Sequence, residues 1–237
     1  MAHPKAVPAT APINPPVASV TPRLPATERR EQLIHVAIDL FSRKGFKGTT
    51  TREIAAAAGV TEAIIFRHFE TKEQLYMAII DQKVNSPKTT GFIAKFKTAM
   101  DQNDDQAVVR LLVKIIIEAH KNEPKFERLM LYAALEGNQI ALRHLRQVTA
   151  SIVDLYRSYL LRRQKQGALR ALSAEVALTA IVGMAQNYAL GKYIHELDDQ
   201  CMSDEQAVES FTQIALSGLS VATDNQAKPL ARKIRNK

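Results

Sequence analysis

The sequence predicts an all-α protein, with a small N-terminal three-helix unit followed by a larger helical bundle. Three observations predict it. Glycine is scarce, at 9 of 237 residues, whereas a β-rich or dinucleotide-binding chain of this size needs more for its turns. Apolar residues recur three and four apart through almost every segment between the two tails, which is the period of one helix face. The interruptions are short and marked by Gly, Asn and Pro.

The bulk numbers agree with a globular chain of one large or two modest domains. Hydrophobic residues make up 46% and charged residues 24%, enough apolar material for a core. Cys201 is the single cysteine; it cannot form an internal disulfide, and it reads as an ordinary, partly buried thiol. No apolar run approaches the roughly 18 residues of a membrane span. Met1 to Ala26 is broken by proline and has no continuous apolar stretch, so it does not read as a signal peptide. These features predict a cytoplasmic protein without a membrane partner. The net charge of +8 suits a polyanionic partner. The excess lies in the tails, however: residues 27–75 carry eight basic against seven acidic side chains, and residues 76–223 seventeen against sixteen. Charge alone therefore does not locate a site.

Along the chain, residues 1–26 hold seven of the ten prolines and read as an extended, disordered arm. Thr27 is the expected N-cap of the first helix, with Glu28 and Glu31 in its first turn. Leu33, Ala37, Leu40 and Phe41 line one face, and Gly45 supplies a left-handed end. Two short helices follow, Thr51–Ala58 and Thr61–Phe69, separated by Gly59 and Val60. A fourth runs from Lys72 to about Val84 and breaks at Asn85-Ser86-Pro87. Longer helices are expected near 90–101, 104–121, 124–136, 138–166, 173–195 and 203–222. The organisation predicted is an arm (1–26), a helix-turn-helix domain (27–75), a helical domain (76–223) and a basic, solvated tail (224–237).

The informative stretch is Phe46 to Lys72. Two short helices that cross steeply need a small residue at the crossing, and Ala55 supplies it. The turn needs a residue that accepts positive φ, and Gly59 sits four positions later. Ile54, Val60, Ile65 and Phe69 anchor the pair to a core. Thr49, Thr50 and Thr51 offer hydroxyls to cap the first helix, and Thr61 the second. A short second helix with a free N-terminal end can enter the major groove of double-stranded DNA. Its outward positions are Thr61, Glu62, Ala63, Ile64, Phe66 and Arg67. Around it, Lys47, Thr50, Thr51, Arg52, His68 and Lys72 suit phosphate contacts, and the fourth helix offers N-terminal amides beside Lys72.

Residues 27–75 resemble the DNA-binding domain of the tetracycline-repressor (TetR) family. The resemblance rests on Leu40-Phe41, Lys44-Gly45-Phe46, Gly48-Thr49-Thr50, Ile54-Ala55, Ala57 to Thr61, Phe66 to Phe69 and Lys72 to Leu75, in order and without a gap. It implies that Thr50, Thr51, Arg52, Thr61, Phe66, His68 and Lys72 fall where the family contacts DNA. Phe66 stands where tyrosine is usual, which removes a hydroxyl-to-phosphate bond but leaves a ring for a thymine methyl. Glu62 would face a polyanion; capping of its own helix is preferred here over accepting from a cytosine amino group.

The resemblance further implies that residues 76–223 bind a ligand and dimerise. The runs near 138–166 (Ile152, Leu155, Tyr159, Leu160) and 173–195 (Val176, Ala180, Gly183, Met184, Asn187) are expected to meet a twofold mate as a four-helix bundle. A pocket for a small, largely apolar inducer is placed among Phe92, Phe96, Met100, Leu112, Ile116, His120, Phe126, Met130, Tyr132 and Tyr188, side chains that also serve plainly as core. No catalytic constellation emerges: the segment around His195 and Glu196 lacks the second histidine of a zinc-protease helix, and Asp198, Asp199 and Cys201 read as a solvated helix end. No enzyme activity, metal or cofactor is expected. The sequence thus predicts a DNA-binding repressor, homodimeric on a palindromic operator and released by a ligand; the alternative is an architectural DNA-binding dimer with no effector.

Overall fold

A computed structural model describes residues 24–197 and 202–220. The arm up to residue 23, the tail from 221 onward, Asp198, Asp199 and Cys201 lie outside the described residues, and the expectations for them with it. Ten α-helices are formed among the described residues: α1 (Ala26–Lys44), α2 (Thr51–Ala57), α3 (Glu62–His68), α4 (Lys72–Val84), α5 (Pro87–Asp101), α6 (Asp105–Asn122), α7 (Pro124–Leu135), α8 (Gln139–Lys165), α9 (Ala174–Tyr193) and α10 (Asp204–Leu219). One antiparallel bridge pairs Leu169 with Ser220. The all-α expectation holds.

Local chemistry sets most boundaries. Ser86, Asp104, Asn138, Ser173 and Ser203 each accept a backbone N–H of the following first turn, the usual N-cap bond. Pro87 occupies the first turn of α5, where its missing N–H costs nothing, so α5 starts earlier than the expected residue 90. Thr27 does not cap α1. The helix begins two residues sooner behind Pro25, whose carbonyl accepts from Arg29 N at 2.9 Å; the ring-fixed φ of −51° sets the chain direction without a side-chain cap.

Two hydrophobic cores divide the molecule. The first joins Leu33, Ile34, Ala37 and Phe41 of α1 to Ile54 and Ala55 of α2, Ile65 of α3, and Leu75, Tyr76, Ile79 and Ile80 of α4. It also takes in Phe126, Leu129 and Ala133 of α7. α7 thus packs on the N-terminal head, and the buried Tyr76 hydroxyl donates to the Leu129 carbonyl at 2.8 Å. The second core is built by α5, α6, α8, α9 and α10.

Tyr159 and Leu160 of α8 are buried in this second core, so they do not form an outward face beside α9 as expected. The partner of α9 at the surface is α10. Beyond Glu175 and Glu205 in their first turns, the exposed positions of the two helices carry no charge, among them Val176, Thr179, Ala180, Gly183 and Asn187 with Gln213, Ile214, Ser217 and Gly218.

Candidate nucleic-acid interface

The helix-turn-helix is assembled from short-range contacts. Thr50 accepts from Glu53 N at 3.1 Å, and the Glu53 carboxylate accepts the Thr50 N–H at 2.9 Å, a reciprocal capping box. Glu53 also pairs with Lys44 at 2.7 Å. The Lys44 ammonium, aided by the Thr50 amide, holds the Glu53 carboxyl down at about 2. At the other end of α2, Val60 N donates to the Ala55 carbonyl at 2.9 Å and Gly59 N to that of Ala56 at 3.2 Å. This six-to-one and five-to-two pair needs a left-handed residue between helix and turn; Gly59, at φ +67°, provides it. Ile54, Ala55, Ile65 and Phe69 are buried, as the crossing requires.

Seven of the twelve predicted DNA-contacting residues stand exposed: Lys47, Thr50, Arg52, Thr61, Ala63, Phe66 and Arg67. Phe66 is 49% exposed, an apolar ring left on a charged surface. Thr51, Glu62, Ile64, His68 and Lys72 are half-buried. Three of these have other engagements. Glu62 accepts the Thr51 hydroxyl at 2.6 Å, and the Thr61 hydroxyl makes no cap bond; Glu62 therefore ties α3 to α2 where sequence reasoning had it capping its own helix. The Lys72 ammonium donates to the carbonyls of Phe46 and Thr49, both at 2.9 Å, and lies 4.2 Å from the centre of the Phe46 ring. Two of its three donors thus hold the α1–α2 loop against α4. Ile64 lines a groove with Val60, Arg67, His68 and the start of α1.

Sequence reasoning missed Glu136, at the end of α7. Its carboxylate accepts the amides of Phe46 at 3.0 Å and Lys47 at 3.1 Å, and the Lys47 ammonium donates to its carbonyl at 3.0 Å. Gly45 makes the approach possible: its φ is +71°, and a Cβ there would stand 2.1 Å from the Glu136 carboxylate. Tyr132 donates to the Arg43 carbonyl at 3.0 Å, and Lys125 pairs with Asp39. These contacts stitch α7 along α1 over sequence separations of 86 to 90 residues, which no local pattern announces.

The ten predicted pocket residues do not share one chamber. Phe96, Met100, Leu112 and Tyr188 are buried in the second core, with Phe92 and Ile116 against it. Phe126 and Met130 belong to the first core, and Tyr132 to the α1–α7 seam. His120 is buried; its Nδ1 bonds the Ile116 carbonyl at 2.9 Å, while its Nε2 lies 3.7 Å from Glu127 without a hydrogen-bond partner. Burial raises the Glu127 carboxyl against the pull of His120. Among the described residues, no group of three or more His, Cys, Asp or Glu is placed to hold a metal, and no helix is long and apolar enough to cross a membrane.

Comparison with known proteins extends this geometry. Residues 33–79 match the pattern of bacterial regulatory proteins of the tetR family. The N-terminal head is therefore of the tetR type. It is similar to the HTH-type transcriptional regulator RutR of Escherichia coli O157:H7, at 24% identity over 81% of this chain and 90% of RutR. It is similar also to the HTH-type transcriptional activator FasR of Mycolicibacterium smegmatis, at 26% identity over 84% of this chain and 86% of FasR. Among solved structures, the transcriptional regulator FadR of Bacillus subtilis in complex with stearoyl-CoA superposes with a TM-score of 0.63, at 15% identity over 79% of this chain and 98% of that one. This last likeness is one of fold. With this head, and with transcriptional regulators as its relatives over most of its length, the chain is a DNA-binding transcriptional regulator.

Proposed function

We propose that this chain is a homodimeric repressor that sits on a palindromic operator and leaves it when a small molecule binds the effector domain. The observation that carries the reading is α3: a short helix pinned by Ile65 and Phe69, with Thr61, Ala63, Phe66 and Arg67 exposed along it. Such a helix reads base edges, with Arg52, Thr50 and Lys47 placed around it for the backbone. The charge-free face of α9 and α10 suits a twofold mate; a Cβ at Gly183 would meet nothing within 4 Å, so two such faces can approach closely. Two copies then demand half-sites one helical turn or more apart. The reading keeps a head (27–75) and an effector domain (76–223), with α4 running across their boundary to Val84 and α7 packed on the head, and it puts the protein in the cytoplasm beside DNA. No enzymatic role is proposed.

Ligand release is supported by the fold shared with FadR, which was solved with stearoyl-CoA. A ligand that prefers the DNA-incompetent state shifts the population toward it. The test is binding of the purified full chain to the DNA upstream of its own gene, at fixed salt, with and without a compound library, and sedimentation of the free protein. Specific binding by a dimer that one compound weakens is expected. Binding that no compound alters turns the reading into that of an effector-free architectural dimer. A deletion strain separates repression, in which the target transcript rises, from activation of the kind FasR is named for, in which it falls.

A further inference from the structure

A cavity of about 400 Å³ lies outside the bundle, where α1, α4 and the α6–α7 junction meet. That volume falls within the range of small-molecule sites. Ile38 of α1, Ile79 of α4 and Phe126 of α7 line it, with Lys83 and Lys125 also on its wall. Lys83 pairs with Glu123, and Lys125 with Asp39. The Lys83 ammonium also stands 5.7 Å from the centre of the Phe126 ring. The Lys125 side chain is 58% exposed, so its pair with Asp39 is a surface contact of small net worth.

Apolar walls with two ammonium groups beside them complement one class of ligand, an apolar body carrying a single negative charge. Its chain would displace water from Ile38, Ile79 and Phe126, and its carboxylate would compete with Asp39 or Glu123 for a lysine. We propose that this cavity is an effector site for a small apolar monocarboxylic acid. The proposal rests on the ligand-released reading and names the chemistry and the place. The place matters because the cavity is walled by the head on two sides and by the α7 segment on the third. Drawing Lys125 from Asp39 removes one of the stitches that join α1 to α7, the others being Tyr132 to Arg43 and Glu136 to Phe46 and Lys47. An occupied cavity therefore acts on the orientation of the head without passing through the bundle core.

The test is calorimetric titration of the full chain with decanoate, with 1-decanol and decylamine as controls for the apolar body and the charge. One saturable site per chain is expected for decanoate, with decanol and decylamine at least tenfold weaker. Lys125→Gln, at an exposed position that leaves the fold intact, combined with Lys83→Gln, is expected to weaken decanoate at least tenfold. Ile38→Phe fills the cavity from a half-buried position and is expected to abolish the site while circular dichroism stays unchanged. Absence of saturable decanoate binding overturns the proposal, as does binding that none of these substitutions alters, or equal binding of decylamine. Operator affinity read in parallel separates the two ideas. Saturating decanoate is expected to lower it at least fivefold. Binding at the cavity with unchanged operator affinity overturns the cavity as an effector site and leaves release by another compound to the library test; specific operator binding with no decanoate binding overturns the site and leaves the repressor.

Discussion

The head and the bundle differ in how far their polar groups reach. In the head, the caps and several surface pairs close within three or four residues, as Thr50 with Glu53, Thr71 with Gln74 and Gln74 with Glu70, and the longer bonds of Glu62 and Lys72 stay within the head itself. In the bundle, charged groups bond across the sequence. Asp105 accepts from Arg163 at 2.8 and 2.9 Å, 58 residues on. Asp204 accepts from Lys121, Lys192, Tyr188 and Tyr193. The head is a local construction that can recur with little change on different bundles. The bundle is a tertiary construction whose polar pairs belong to this chain.

The comparison is broken most forcefully at Asp204, whose side chain is only 14% exposed. Asp204→Ala leaves Lys192 and two tyrosine hydroxyls facing an empty position, and loss of one partner of a buried pair costs about 3–4 kcal/mol. Thermal or urea unfolding measures it. The fraction still folded should bind operator with the wild-type affinity, because no head contact is lost; a parallel loss of specific affinity would show that the two constructions are not separable. The four donors, working against burial, hold the Asp204 carboxyl well below the usual carboxylate range. Its contribution is therefore complete above the unfolded carboxylate value of about 4 and declines as the pH falls further toward the folded value. Wild-type stability should drop below about pH 4, and the Asp204→Ala profile should be flatter there.

α7 sharpens the comparison, since it lies in the sequence of the bundle yet packs with the head. Leu129→Ala empties a fully buried site and should cost about 3 kcal/mol. Because Leu129 supports Tyr76 and α4, operator affinity should fall with stability, unlike at Asp204. An unfolding midpoint that drops while operator affinity holds would place α7 functionally with the bundle.

These contrasts mark what could be read from the sequence. Helix spacing, caps and the Ala55–Gly59 turn are governed by contacts within six residues, so the ten helices and the head were legible. Glu62, Lys72 and Glu136 were not. Glu62 and Lys72 look like groups available to DNA until the α2–α3 and loop–α4 contacts are seen, and Glu136 is an unremarked acid beside Gly137. The pocket expectation scattered because apolar periodicity shows that Phe126 and Met130 are buried but not in which of two cores. Likewise α8 and α10 both bury apolar stripes in the second core, and only packing decides which of them leaves an uncharged exposed face beside α9.

The head's local character predicts a modest effect at its own cap. Thr50→Ala removes the hydroxyl that accepts the Glu53 amide, and such caps are worth about 1 kcal/mol. Unfolding should show that loss. Operator affinity should fall several-fold more than stability accounts for if Thr50 also meets a phosphate, and in proportion to stability if it only caps.

The smallest expected change is at the seam between the two constructions. Glu136→Gln keeps one accepting oxygen but turns an amide N–H₂ toward a backbone donor. One of the two bonds to Phe46 and Lys47 is then lost, at about 1 kcal/mol for a partly solvated, charge-assisted bond. Global stability will register little of this, because the affected loop is still held by Lys72 and by the Phe46 ring, stacked on Phe41 and edge-on to Tyr76. Amide exchange is the sharper probe. Protection at Phe46 and Lys47 should fall while that at Ile54 and Leu75, inside the head core, stays constant. If the Glu136 seam carries the signal from effector domain to head, the variant should bind operator within about threefold of wild type, yet release it less completely with whichever compound proves to be the effector. Unchanged exchange at Phe46 and Lys47 would mean that Lys72 alone orders the loop, and that α7 is joined to the head by its buried face and not by this carboxylate.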